Sequence, residues 1–421
     1  MHRLPLADEL PYRFHPPRIS PLVVRLTRGY WRGMVRGVHQ VVDVEIQGQE
    51  QLLPLFDRGD GVMLCPNHCG RADGLLMLGL ADDLGKPACA MAAYQIFEGN
   101  AGLRHWLFPR LGIFPVDREG SDLKAFKAAV EIVAGGEHPL VVFPEGEVYL
   151  LADRLTPLRE GAAAIAVTAA KRLADRGKTA WLVPIGLKYR FPDDHDPRPA
   201  FERLMDSLEL RLTWSPRHGR SLVERIYDLA RALVTLKELE YLGTTHPNGC
   251  LSERIAALRT HLLNDMETRR LGKPHESATV PDRIKELRRA CLSALADSKA
   301  SPAEIDSLRR DLNDVYLVVQ SFSYPGDYVS ESPTLDRIAE TLMKLDEDLL
   351  GVQPAPPLGP RRVKIQIGEP IDVGACLNSS GKSRVAIPLL TTELERRMQA
   401  ALDTIGPGRL YVPEPPASGR P

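Results

Sequence analysis

His68 and Asp73 stand five positions apart in Pro66-Asn67-His68-Cys69-Gly70-Arg71-Ala72-Asp73, between two apolar runs. A neutral imidazole held by a carboxylate can take a proton from an alcohol near neutral pH. On one continuous helix an offset of five would turn the two side chains to different faces. A turn can instead fold the carboxylate back onto the ring. Gly61–Cys65 reads as a short buried strand and Gly74–Leu84 as an apolar-periodic helix, with Pro66 and Gly70 breaking the backbone between them. The pair therefore belongs on a strand-to-helix turn. Taken alone, the same residues also fit a helix-capping aspartate beside an ordinary loop histidine.

Three further segments follow in order. Gly112-Ile113-Phe114-Pro115-Val116-Asp117-Arg118 offers a glycine turn, a short extended run, then an acid and an arginine. Arg118 can fork onto a phosphate or carboxylate, which a lysine would hold only as a point charge. The plainer reading is a surface arginine paired with Asp117 or a neighbour. Leu140-Val141-Val142-Phe143-Pro144-Glu145-Gly146 is a buried strand ending in a tight turn that exposes one carboxylate. Trp181-Leu182-Val183-Pro184-Ile185-Gly186-Leu187 is another buried strand, and its proline suits an edge position.

In this order the segments resemble the glycerolipid acyltransferase family, of the 1-acylglycerol-3-phosphate acyltransferase type. The four blocks are His68-x4-Asp73, Gly112 to Arg118, Phe143-Pro144-Glu145-Gly146 and Val183-Pro184-Ile185. Leu158-Arg159-Glu160-Gly161-Ala162 is similar to the family's basic-glycine segment, and Ile367-Gly368-Glu369-Pro370-Ile371 to its closing strand. The resemblance covers about residues 40–190 and returns at Val363–Val373. It implies an α/β fold with the active site at strand ends. It also implies that His68 is the general base on an acceptor hydroxyl and that Asp73 fixes its tautomer. The donor substrate would be acyl-CoA or acyl-carrier protein, with no cofactor and no metal, and the acceptor a lysolipid or glycerol-phosphate-like alcohol. Arg118, helped by Arg71 or Arg159, would hold the acceptor's anionic head. Glu145 would orient Arg118 or accept from a glycerol hydroxyl, and Gly112 and Gly146 complete the expected substrate-binding set.

The chain departs from the family in the third block. Where Phe-Pro-Glu-Gly is commonly followed by threonine, arginine and serine, Glu147, Val148 and Tyr149 follow here. A basic and two hydroxyl side chains are missing and a carboxylate has been added. An acceptor less anionic than lysophosphatidic acid is the expectation.

These residues need a scaffold, and the chain alternates strand and helix patterns from 40 to 200. Strands are expected at Val41–Ile46, Gly61–Cys65, Ala88–Met91, Leu140–Phe143 and Trp181–Leu187. Helices are expected at Gly74–Leu84, Gly102–Leu111, Leu123–Ala134 and Gly161–Asp175. This is an α/β class chain, a mixed sheet covered by helices, with an inserted all-helical bundle. The bundle pattern begins with Ala200–Trp214, where helix is favoured over alternation, and continues with Leu222–Leu242 and Leu251–Leu271, each closed by glycine. Pro281-Asp282 precedes a helix over Arg283–Ala296, and Ser301-Pro302-Ala303-Glu304 and Ser332-Pro333 mark further starts. No internal repeat is evident. The insertion serves either as reinforcement or as a lid or partner-docking platform.

The resulting division is an N-terminal arm (1–18), an acyltransferase core (19–200), a helical insertion (201–352), a return to the core (353–405) and a disordered tail (406–421). The return holds the closing strand and a last helix at Leu389–Leu402. At 19–38, Leu22, Val23, Leu26, Tyr30, Met34 and Val38 recur at helical spacing with Arg25, Arg28, Arg32 and Arg36 stepping round the other side. Such a helix lies in a membrane interface or packs on the core with a solvated arginine face.

Bulk composition narrows the partners. With 54 basic and 55 acidic residues the net charge is −1, which gives no electrostatic footprint for nucleic acid. Mean hydropathy is −0.19, and no uncharged apolar run reaches the roughly eighteen residues of a membrane span. The first 17 residues lack a signal-peptide pattern, so a cytoplasmic protein, peripheral on the cytoplasmic face of a membrane, is expected. Six cysteines in a chain of 421 suggest no disulfide scaffold. Cys65, His68 and Cys69 match no common zinc spacing. Ser379-Ser380-Gly381-Lys382-Ser383 resembles half a phosphate loop without its upstream glycine, and reads as a flexible loop. Two other functions fit the same residues: a thioesterase or other hydrolase, and a catalytically silent membrane-binding scaffold. The first lacks a Gly-x-Ser-x-Gly elbow and the second leaves His68 and Asp73 without a task.

Overall fold

The computed structural model describes residues 12–97, 101–118, 122–246, 248–296, 301–351 and 354–413. Most of the expected N-terminal arm, the first residue of the 353–405 return and the tail from 414 lie outside these. The chain forms two units, one from Leu10–Pro192 with Pro360–Pro407, the other built on Asp193–Gly359 and the residues from Gly408.

The first unit opens with α1 (Pro21–Gly37), β1 (Val41–Gln47), α2 (Leu53–Arg58) and β2 (Gly61–Pro66). Next come α3 (Asp73–Asp83), β3 (Cys89–Ala93), α4 (Ala101–Arg110) and β4 (Ile113–Val116). The run closes with α5 (Leu123–Gly135), β5 (Leu140–Val141), α6 (Gly161–Ala174) and β6 (Ala180–Arg190). The helical unit contributes α7 (Arg198–Arg211), α8 (Leu222–Leu242), α9 (Leu251–Leu271) and α10 (Val280–Leu295). It continues with α11 (Pro302–Ser321), α12 (Tyr328–Glu331) and α13 (Leu335–Leu345). The chain then returns as β7 (Arg361–Ile367), β8 (Ile371–Asp372), α14 (Val373–Ser380) and α15 (Ser383–Ile405).

The eight strands make one mixed sheet in the order β1-β7-β6-β2-β5-β3-β4, with β8 also on β6. Its period of two sorts side chains to two faces. Met63 and Cys65 of β2 join the core under α5, α6 and α15, while Val62 and Leu64 join the core under α2 and α3. β2, β3, β4, β5 and β6 run parallel to one another, so their carboxyl ends share one edge.

Three local expectations need correction. The β6 strand is central, not an edge, although it contains Pro184. The proline is tolerated because it faces the gap between β7 and β8, where β6 meets the turn at Gly368 rather than a ladder. The supposed flexible loop at Ser379–Ser383 is the junction of two helices, turned by Gly381 at φ +69°. In the expected disordered tail, the Leu335 N–H donates to the Arg409 carbonyl (2.8 Å) and the Tyr411 N–H to that of Pro333 (2.7 Å). The start of α13 also differs from the expected one, since its capping side chain is Thr334, not Ser332.

The helical unit does contain a repeat. Arg225, Arg254 and Arg283 recur every 29 residues, and each forks onto a glutamate 16 positions earlier, Glu209, Glu238 and Glu267. The same glutamates accept the backbone N–H of residues 217, 246 and 275. Each unit thus ties the end of one helix to the first turn of the next. The sequence trace is Glu-Arg-Ile twice and then Asp-Arg-Ile at 282–284, and apolar positions around it recur at the same spacing: Leu222, Leu251 and Val280, Ile226, Ile255 and Ile284, and Leu229, Leu258 and Leu287.

Candidate active site

His68 and Asp73 meet. After β2 ends at Pro66, the buried Asn67 side chain extends the ladder, donating to the Leu187 carbonyl (3.0 Å) and accepting from the Leu187 N–H (2.7 Å). This fixes the chain one residue before His68. Asp73 begins α3, fully buried, and its Oδ2 lies 2.9 Å from His68 Nδ1. The same oxygen accepts the Gly70 N–H (2.8 Å), and Oδ1 accepts the Tyr189 hydroxyl (2.6 Å). Burial, with the Asp73 charge next, holds the Tyr189 phenol well above its ordinary pKa, so it remains a donor. Gly70 is required here: a Cβ would fall 2.4 Å from the Tyr189 ring.

An ionised carboxylate only accepts, so the hydrogen on the imidazole sits at Nδ1 and the lone pair at Nε2. Among the described residues Nε2 has no hydrogen-bond partner, and the side chain is 21% exposed. The ring stacks on Phe143, with centroids 4.0 Å apart. The dyad is held from behind and open in front.

Glu145 has a different place from the one expected. It is buried, its Oε1 accepts the His68 N–H (2.7 Å), and its Oε2 accepts both the backbone N–H (3.0 Å) and the hydroxyl (2.5 Å) of Thr156. Burial pushes its pKa up, and the Thr156 and His68 donors oppose that shift. Its carboxylate braces the histidine loop against the 156 loop and makes no bond to Arg118.

Arg118 follows the carboxyl end of β4 and donates to the Gly146 carbonyl, with an ion pair to Glu147 at 2.8 Å. The added carboxylate of the third block therefore sits on the arginine expected to hold the acceptor. Arg159 fills the place opposite. Gly146, at φ +80°, leaves room for it, since a Cβ there would lie 2.6 Å from its Nε. The Arg159 N–H donates to the Pro144 carbonyl (2.9 Å), while its guanidinium has no hydrogen bond or ion pair among the described residues. Arg71 is exposed on the turn between His68 and Asp73.

Gly112 is not at this edge. It turns the chain into the amino end of β4, at φ +85° with the Ala88 carbonyl 2.6 Å from a would-be Cβ. The four-residue strand puts it about 13 Å from the end that carries Arg118. Asn67, Thr156 and Tyr189 were not singled out from sequence. Only Asn67 left a local signal, a polar residue directly after an all-buried strand.

The family model described as Acyltransferase matches residues 43–188. The match supports kinship with the glycerolipid acyltransferases and indicates acyl transfer in lipid metabolism. No curated protein matches the chain.

Proposed function

We propose that the chain transfers a fatty acyl group from a thioester, acyl-CoA or acyl-carrier protein, to a hydroxyl of a lysolipid. The observation that carries this is the open Nε2 of a histidine whose Nδ1 is held by a buried carboxylate, inside a segment matching an acyltransferase family model. In this reading Nε2 takes the proton of the acceptor hydroxyl as its oxygen attacks the thioester carbonyl. The C–S bond then breaks, and the imidazolium, stabilised by Asp73, returns the proton to the departing thiolate. Arg159 is the first cation available to an acceptor headgroup, while Arg118 is already neutralised by Glu147. Zwitterionic or neutral lysolipids are therefore favoured over lysophosphatidic acid.

The acceptor lies in a bilayer, and α1 supports a peripheral, cytoplasmic-face encounter with it. Leu22, Leu26 and Tyr30 form a stripe 66%, 73% and 65% exposed. Val23, Val24, Trp31 and Val35 pack inward instead. The arginines do not form one solvated face, because Arg28 and Arg32 pair with Asp82 and Asp83 of α3. Arg25 and Arg36 stay exposed for anionic lipid. Among the described residues no helix is long and apolar enough to cross a membrane.

Acyl-CoA and a panel of lysolipids on phosphatidylglycerol-containing liposomes test both parts. Thiol release and acylated product should depend on the acceptor and vanish in His68→Ala. Release without acceptor would favour the hydrolase reading, and full turnover by His68→Ala would end the general-base assignment. Leu26→Glu should lower liposome binding; unchanged binding would remove α1 from the reading.

A further inference from the structure

Within the helical unit, α8, α9, α11 and residues 323–351 line a cavity of about 970 Å³ that is open to solvent on one side. Leu233, Val234, Ile255, Leu258, Leu262 and Leu317 supply aliphatic wall. The volume lies at the upper end of the range of ligand pockets, about 300–1,000 Å³.

One cation on the wall lacks a counter-ion. The Arg259 guanidinium sits 4.8 Å from the Phe322 ring centroid and meets no carboxylate among the described residues. The buried arginines of the same unit behave otherwise, each forking onto its glutamate. Desolvation lowers the pKa of Arg259, as for a charge removed from water without an acid beside it. Acids on the wall already have partners. Asp348 accepts from Tyr324 (2.7 Å) and Lys344 (3.0 Å), and Glu240 from Lys237 (2.6 Å).

A long alkyl chain matches the aliphatic volume, and a carboxylate matches the guanidinium, which binds one through paired N–H donors. We propose that this cavity binds a long-chain fatty acid, its carboxylate on Arg259 and its chain between α8, α9 and α11. The site is lined by the helical unit alone, and the proposal does not depend on the acyl-transfer reading.

Titration of the full chain with palmitate below its micellar concentration tests it. One palmitate should bind per chain. Ile255→Trp, which fills the cavity, should abolish binding. Arg259→Gln should weaken it about tenfold or more. Methyl palmitate should bind wild type and Arg259→Gln alike, a comparison that stands even where Ile255→Trp fails to fold. His68→Ala should bind palmitate as wild type does. Loss of binding in His68→Ala, binding indifferent to both cavity variants, or no binding to folded wild type would overturn the proposal. A wild type that binds no palmitate but changes oligomeric state on Ile255→Trp would overturn it too, marking the cavity as a protein interface.

Discussion

Asp73 accepts from His68 Nδ1, the Gly70 N–H and the Tyr189 hydroxyl, so its orientation is set by three donors, two on the turn after β2 and one on β6. Tyr189→Phe removes one of these while keeping the ring that packs on Gly70. Turnover should fall about tenfold with KM nearly unchanged, because the lost donor positions the dyad without touching substrate. A matching rise in KM would instead assign Tyr189 to binding. Glu147→Ser should free Arg118 and raise the preference for lysophosphatidic acid over lysophosphatidylcholine about tenfold. An unchanged ratio in competition kinetics would exclude Arg118 as an acceptor contact. The dyad was legible because its partners are five positions apart across a turn that Pro66 and Gly70 announce. Tyr189 was not, since its bond to Asp73 spans 116 positions and nothing local records it. Glu145 was misread for a related reason: a carboxylate at a strand end looks solvent-facing until the Thr156 loop that covers it is in place.

At the scale of elements, the clamps of the helical unit join helix to helix through charge. Arg254 and Glu238 are 4% and 1% exposed, so Arg254→Ala leaves a buried carboxylate without its partner. Thermal or urea unfolding should show a loss of about 3–5 kcal/mol, and a double change of the pair to apolar residues far less. Burial alone would raise Glu209 and Glu267, but the arginine and backbone donors hold both below the ordinary 4.5, and Arg254 does the same for Glu238. Folded values depressed below unfolded ones stabilise above about pH 4.5, and that contribution disappears as pH falls further. Acid unfolding of the helical unit should therefore begin below about pH 4.5 and be less steep in Glu238→Gln, by circular dichroism. Helices α8 and α9 coincide with the ranges read from sequence, since Gly243 and Gly272 close them and an acid sits in each first turn. The repeat is written in the sequence as well, since Ile226, Ile255 and Ile284 and Leu229, Leu258 and Leu287 recur with the arginines every 29 residues, a spacing far longer than the 3.6-residue period that marks each helix.

Across the whole molecule, the helical unit replaces the loop of a hairpin. β6 and β7 are antiparallel neighbours with Arg190 opposite Arg362, and residues 193–359 leave and rejoin the sheet there. Alternation in the sequence announced the sheet but not its order, because β1 pairs with β7 rather than with any strand near it in the chain. A chain ended at Gly359 should leave β1 unpaired and the Ile185–Arg190 edge of β6 open. Light scattering should find it aggregated where the full chain is monodisperse; a soluble, cooperatively unfolding truncation would contradict this. On the ribosome the same pairing becomes a delay. Strand β1 emerges early, yet its partner at Arg361–Ile367 is synthesised on the order of tens of seconds later. Through that interval the nascent chain carries a strand with no companion, and a chaperone that shields extended segments would find its substrate at Val41–Gln47.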